Sequence, residues 1–176
     1  VILDLGDAAP GFSLPGTDAK RQGLADFAGK VVCVVFTCNH CPYAQAYEGR
    51  LNALQSEFGP RGFQLLAINS NDAVDYPEDG FEAMRTRAQE KGFKFPYLHD
   101  ESQAVAKAYG AVRTPHVFLF DQALRLAYVG RIDDSWNAPE KVTRRELAEA
   151  VADLLDGKPV RTPETFAVGC TIKWKD

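Results

Sequence analysis

The chain has 176 residues, 45% of them hydrophobic and 25% charged, and its formal net charge is -4. That length supports one domain with a core that needs no disulfide staples. An acidic balance without a long run of Lys or Arg excludes the basic footprint that nucleic acid or an anionic membrane surface requires. No apolar stretch is long enough to span a bilayer, and no charged leader with an apolar block stands at the front. The expectation is a soluble, cytoplasmic protein without membrane insertion. The chain begins at Val1 rather than Met, so an exported form with a removed leader stays open.

In chain order, Gly6, Pro10, Gly11, Pro15 and Gly16 break the opening into short segments. FSL and the polar GTDAKRQ predict a small hairpin before Leu24–Phe27 and the Gly29-Lys30 turn. VVCVVF, from Val31, is apolar at every position, which predicts a central strand covered on both faces. Apolar residues then fall at Ala44, Tyr47, Leu51, Leu54 and Phe58, steps of three and four that draw one helical stripe, stopped by Gly59-Pro60. FQLLAIN predicts the next strand, and strand, helix and strand at these lengths form a right-handed parallel unit.

A second helix is predicted over 78–91, with Phe81, Met84 and Ala88 inward and Gly92 as its stop. A third begins at Asp100, with Gln103 completing a capping box, and ends at Gly110. HVFLF and LRLAYV predict an antiparallel hairpin. Thr143 and Glu146 form a second capping box, opening a helix with Leu147, Val151 and Leu154 inward and Gly157 behind. There is no repeat and no linker. The expectation is a single α/β domain with an N-terminal hairpin extension over 1–29 and a tail over 158–176.

Cys33, Cys38, Cys41 and Cys170 are too few and too irregular for a disulfide framework. Cys38 and Cys41 flank Asn39 and His40 where the first core strand hands over to the helix, a spacing that suits a metal clip, a structural disulfide or a redox centre. A helix start leaves backbone N–H groups unpaired and carries partial positive charge, so Cys38 is expected to be the stabilised thiolate. Its pKa would fall from about 8.5 into the range of roughly 3.5 to 7.5. His40 adds positive charge when protonated and is expected to make the pair more oxidising, while Asn39 adds none. Cys41 is the natural resolving thiol. Pro42 gives up only an N–H that a helix start leaves unsatisfied anyway.

On the residues alone Thr114-Pro115 reads as a trans turn, since cis bonds are only about 5 to 6% of X-Pro bonds. Cys33 reads as a small buried hydrophobe. Cys170, after Gly169, reads as packed, with a third redox thiol as the sharper alternative. His99 and His116 read as hydrogen-bonded loop or strand residues, and Asp133-Asp134 as a solvated loop rather than an acid pair. A structural zinc site wants four ligands, and no second Cys-x-x-Cys exists, so no metal is expected.

FTCNHCP, the strand-helix-strand around it, TP ahead of a hairpin and a terminal helix together resemble the thioredoxin superfamily. The layout is similar to its peroxiredoxin-like and thiol-disulfide oxidoreductase branch, related to AhpC/TSA, in which a short hairpin (APGFSLPG here) precedes a thioredoxin fold with a mixed sheet flanked by helices. More closely, CNHCPYAQAYEGRL, AINSNDAVDYPEDGFEAM, FPYLHDESQAVAKAYGA, GRIDDS and GCTIKWK resemble a thioredoxin-like subgroup over 7–175. The resemblance implies Cys38 as nucleophile, Cys41 as resolving thiol and Pro115 cis beside them. It gives Thr114 the backbone contacts to an extended substrate strand and sets 130–134 at the border of that groove. It implies no organic cofactor and a protein or small-molecule disulfide or dithiol partner.

Some features depart from that pattern. Val32 stands where thioredoxins bury an Asp, and Ala44 where cytochrome-maturation reductases place a Glu, so the proton acceptor for Cys41 is unassigned between Glu48 and water. The peroxiredoxin frame Pro-x-x-x-Thr-x-x-Cys is missing in either register, with Val34 and Cys38, or Val31 and Val35, at its Pro and Thr positions. The expected function is a thiol-disulfide oxidoreductase. The alternatives are a thiol-dependent peroxidase and a metal-binding or redox-sensing module on the same fold.

Overall fold

The first core strand is buried at all seven positions, Val31 to Thr37, and the rest of the molecule is arranged to cover its two sides. The computed structural model describes residues 2–176. It opens with the hairpin β1 (Ser13–Pro15) and β2 (Arg21–Gly23), followed by β3 (Val31–Thr37), α1 (Pro42–Phe58), β4 (Phe63–Asn69) and α2 (Phe81–Glu90). Then come β5 (Tyr97–His99), α3 (Ala104–Tyr109), β6 (Arg113–Thr114), β7 (His116–Phe120), β8 (Leu126–Gly130), α4 (Glu146–Leu155) and β9 (Cys170–Thr171). Five strands form one mixed sheet in the order β5-β4-β3-β7-β8, with β4 parallel to β3 and β5, and β7 antiparallel to β3 and β8. A separate two-stranded sheet pairs β6 with β9. No helix among the described residues is long and apolar enough to cross a membrane.

Alternation along β3 sorts its side chains onto two cores. Val31, Cys33 and Val35 join Leu51, Leu54 and Phe58 of α1, Met84 of α2 and Leu147 and Val151 of α4. Val32, Val34 and Phe36 join Leu24, Tyr109 of α3 and the flanking Phe12 and Leu14. Tyr109 meets Phe36, Phe118 and Phe120 edge-on at centroid distances of 5.5, 5.4 and 5.9 Å, and its hydroxyl donates to Pro10 O at 2.9 Å. The N-terminal hairpin is thereby fastened to the second core. Cys33 sits inside the first core, its thiol pushed up by burial.

Both edges of the large sheet are covered by the chain itself. Beside β5, Thr17 N donates to Tyr97 O at 3.0 Å and Gly16 bridges Leu98. Beside β8, Val129 N donates to Pro163 O at 3.1 Å and Thr165 N to Val129 O at 3.0 Å. The second approach is close enough to require glycine: a Cβ on Gly130, at φ +145°, would lie 2.1 Å from Thr165 Oγ1.

Several helix starts differ from the expected ones. α2 begins at Phe81 instead of 78 because Pro77–Asp79 turns as a tighter 3-10 helix first. Asp100 does cap α3, accepting from Val105 N and Ala106 N at 3.3 and 3.0 Å, but across an excursion in which Gln103 takes φ +68°. The Gln103 amide then donates to Ser70 O and Lys173 O instead of returning to close a capping box. The second box also fails: Thr143 binds the carboxylate of Asp134, Glu146 pairs with Arg131, and α4 starts after Arg145. In both cases a tertiary partner outcompetes the local one. The strands β5, β6 and β9 are too short to show any periodicity.

Candidate redox site

β3 ends at Thr37, and the next four residues carry the chain into α1. Cys41 is the N-cap, with extended backbone at φ -77° and ψ 124°, and Pro42 takes the first helical position. Cys38 therefore lies three residues before the cap, outside the first turn. Its sulfur is 3.6 Å from Thr114 Oγ1, and Cys41 Sγ is 3.4 Å from Thr114 O. The peptide bond from Thr114 to Pro115 is cis. Thr114, the last residue of β6, thus touches both thiols, Cys38 through its hydroxyl and Cys41 through its carbonyl.

A third thiol closes the cluster. Cys170 packs against Cys38, Cys41 and Ala44, with Tyr43 beside it. It arrives on β9, whose register pairs Thr114 with Cys170 and Arg113 with Thr171. Gly169 makes the approach feasible, since a Cβ there would stand 2.2 Å from Thr114 O. Covered in this way, Cys38 is 1% exposed and Cys41 0%.

Charge distributes unevenly between the neighbouring sulfurs, which titrate as one unit. The Cys41 thiol is held well below the ordinary range, first of all by the neighbouring Cys38 thiol. Against the opposing effect of burial, the Cys170 thiol, the Ala44 backbone and the Thr114 side chain act in the same direction. Cys38 is pushed up by its hydrogen bond to Cys41, by burial and by the negative charge of Asp79. The helix start that was expected at Cys38 lies at Cys41, which caps α1.

Asp79 is the residue that the sequence reading overlooked. Fully buried, it accepts from Asn39 N at 2.6 Å, Asn69 Nδ2 at 3.1 Å, Asn71 Nδ2 at 3.0 Å and the His40 ring. In DAVDYPEDG it looks like one more solvated acid among Asp72, Asp75 and Glu78. The only cue was the density of Asn in CNHC and NSND, side chains suited to surround a carboxylate. Asn39 is tied further: Tyr97 OH donates to its Oδ1 at 2.8 Å, its Nδ2 donates to Glu78 O at 2.9 Å, and Gln45 Nε2 donates to its carbonyl at 2.7 Å. His40 stacks on Tyr76 at 5.6 Å.

The remaining candidates lie away from the thiols or serve the fold. Glu48 is held by Arg87 through two bonds of 2.5 and 2.6 Å. His116 accepts from Val112 N at 3.2 Å, and burial, then Arg113, brings it down to about 4. His99 stacks on Phe81 at 5.7 Å. Asp133 takes Tyr47 OH at 2.8 Å and Arg50 at 2.7 Å, so it anchors its loop to α1. Cys38, His40 and Asp79 offer donor atoms within 4.8 Å of one another, a spacing a cation could use. Both oxygens of Asp79 already receive protein donors, which a cation would have to displace.

Comparison with known proteins locates this arrangement. The AhpC/TSA family model matches residues 5–129. A solved structure of an uncharacterized conserved protein from Geobacillus kaustophilus is 42% identical and superposes with a TM-score of 0.93, covering 98% of this chain and 93% of that one. The thiol-disulfide oxidoreductase ResA of Bacillus thuringiensis subsp. konkukian is 26% identical over 120 residues, 68% of this chain and 65% of that protein. The match thus spans just under two thirds of that relative's length. The thioredoxin domain of a Bacteroides vulgatus thiol-disulfide oxidoreductase, 20% identical with a TM-score of 0.63, covers 72% of this chain and 88% of that one and shares the fold.

Proposed function

The chain belongs to the AhpC/TSA family within the thioredoxin superfamily, and from that premise we propose that it is a thiol-disulfide oxidoreductase whose redox pair is Cys38 and Cys41. The observation that carries the reading is the convergence of both sulfurs on Thr114, at 3.6 and 3.4 Å, from the two ends of the Cys-Asn-His-Cys loop. Cys38 attacks a disulfide R–S–S–R′ while its proton passes to the neighbouring Cys41 sulfur. The products are a Cys38–S–S–R mixed disulfide, a neutral Cys41 thiol and R′S⁻ as leaving group. Cys41 then attacks Cys38 Sγ, its proton goes to the departing RS⁻, and a Cys38–Cys41 disulfide remains. A dithiol or glutathione returns the pair to its starting state. The cytoplasm, where such reductants are abundant, is the compartment that goes with this direction of flow.

Asn39, His40 and Pro42 set the geometry in this scheme. Asn39 and His40 pin the loop to Asp79, and Pro42 starts the helix whose cap is Cys41. Thr114 and Pro115 form the wall against which the substrate sulfur is held. The partner is a protein or small-molecule disulfide, and no organic cofactor enters the exchange. A dedicated peroxidase is the weaker reading, because Val31 and Val34, both fully buried in β3, stand where the peroxiredoxin frame would place its proline.

The test is equilibration of the wild-type protein with glutathione mixtures, with the Cys38–Cys41 disulfide identified by mass spectrometry. A two-electron transition that Cys38→Ser and Cys41→Ser each abolish at this pair is expected. Failure of the pair to form a disulfide across the whole range would overturn the proposal.

A further inference from the structure

The edge of β6 beside the thiols is where an extended polypeptide could add as a strand, since backbone groups there need partners. In this structure the position is filled by the chain's own β9, and the residue it sets opposite Thr114 is a cysteine. The segment is moored on either side. Upstream, Thr165 N donates to Val129 O at 3.0 Å. Downstream, Ile172 N donates to Val112 O at 3.0 Å, Lys173 N to Asn71 Oδ1 at 2.9 Å and Lys175 N to Gln103 Oε1 at 3.0 Å. Between the moorings Phe166 is 91% exposed, and the chain descends through Gly169 to place Cys170 against Cys41.

We propose that β9 is a built-in substrate strand and Cys170 a third redox thiol, which exchanges with the oxidised Cys38–Cys41 pair to form a Cys41–Cys170 disulfide. The inference rests on the redox-pair reading above. The Cys170 thiolate attacks Cys41 Sγ, the Cys41–Cys170 bond forms as the Cys38–Cys41 bond breaks, and the electron pair leaves on Cys38 sulfur. That sulfur takes up the proton Cys170 gave up. One disulfide replaces another, so no external oxidant or reductant is consumed. Cys38 becomes a free thiol again while the tail is tied across the docking edge. An incoming polypeptide must then displace β9, whereas a small disulfide need only reach the sulfurs.

The experiment oxidises full-length wild type, Cys38→Ser and Cys170→Ser with glutathione disulfide and maps the bonds after trypsin without reduction. In Cys38→Ser, peptides 31–50 and 162–173 should appear linked, with fragmentation placing the bond on Cys41 and two thiols lost per chain. In wild type the same link should coexist with the Cys38–Cys41 bond, so the proposal does not depend on the variant folding. Cys170→Ser should show the Cys38–Cys41 bond alone. If neither wild type nor Cys38→Ser gives the link while Cys170→Ser closes its pair, the third thiol is overturned and the redox pair stands. If Cys170→Ser closes no pair, the redox-pair reading fails and the exchange built on it fails with it.

Discussion

The two walls of the thiol cluster are made differently. The inner wall is the Cys38–Cys41 loop, fixed by a buried carboxylate with donors from Asn39, His40, Asn69 and Asn71 and by the secondary bonds of Asn39. The outer wall is β9, two residues paired with two, next to a stretch in which Phe166 and Val168 face solvent. Buried charge satisfied by several donors resists local opening, whereas a short strand moored at its ends opens at small cost. A redox site needs both properties: a rigid seat that sets sulfur geometry and a cover that yields to the partner.

The most disruptive way to break this contrast is Asp79→Ala. It strands the Asn39 N–H and the amides of Asn69 and Asn71, and each orphaned buried donor costs roughly 1 to 3 kcal/mol. We expect urea denaturation to show a loss of about 3 kcal/mol or more. Gln103→Ala, which unties Lys173 and Lys175 from the outer wall, should cost about 1 kcal/mol. Equal losses from the two would erase the distinction between seat and cover.

Gly169→Ala acts on the cover alone. Its Cβ cannot stand 2.2 Å from Thr114 O, so β9 must lift. If that costs the closed tail about 1.4 kcal/mol, the open fraction rises about tenfold. Alkylation of Cys38 and Cys41 in the reduced protein should accelerate by that factor while global stability changes little. An unchanged rate would mean that reagent reaches the sulfurs by a path that bypasses the tail.

Proton distribution gives a gentler test. Because Cys41 is depressed, thiolate absorbance in reduced protein should persist as pH falls below the ordinary thiol range, and Cys41→Ser should remove it. The associated stability is present above an unfolded-state value of about 8.5 and is lost as pH falls through the depressed one. Reduced wild type should therefore lose its stability advantage over Cys41→Ser on acidification. An advantage that instead grew toward low pH would put the charge on the wrong sulfur.

His40→Pro should have the smallest effect. It removes the ring that hydrogen-bonds Asp79, the carboxylate whose negative charge bears on Cys38. Asp79 keeps its three other donors, however, so the change should stay within one pKa unit, or about 30 mV, as read by thiolate titration and glutathione equilibration. A much larger shift would make His40 the principal source of the site's electrostatics.

These differences also explain what could be read from the residues in order. β3 and β4 were legible because an uninterrupted apolar run has few destinations other than a two-sided core, and the stripe from Ala44 to Phe58 because its spacing permits one face. The spacing of Cys38 and Cys41 identified the handover from strand to helix. It did not identify which sulfur caps the helix, a matter of where the first turn closes. Asp79 was hidden because its burial depends on donors from two distant segments, Asn39-His40 and Asn69 to Asn71. β9 was hidden because two residues carry no pattern, and their partner β6 is an equally short strand far earlier in the chain.

The late position of the cover has a consequence for biosynthesis. The strands β3 to β8 and the Asp79 network are complete in sequence before residues 163–173 are translated, yet those residues both shield the edge of β8 and roof the thiols. During that interval the nascent polypeptide carries Cys38 and Cys41 without their lid. Ribosome-stalled chains ending near residue 160 should accordingly label at these cysteines faster than the released protein.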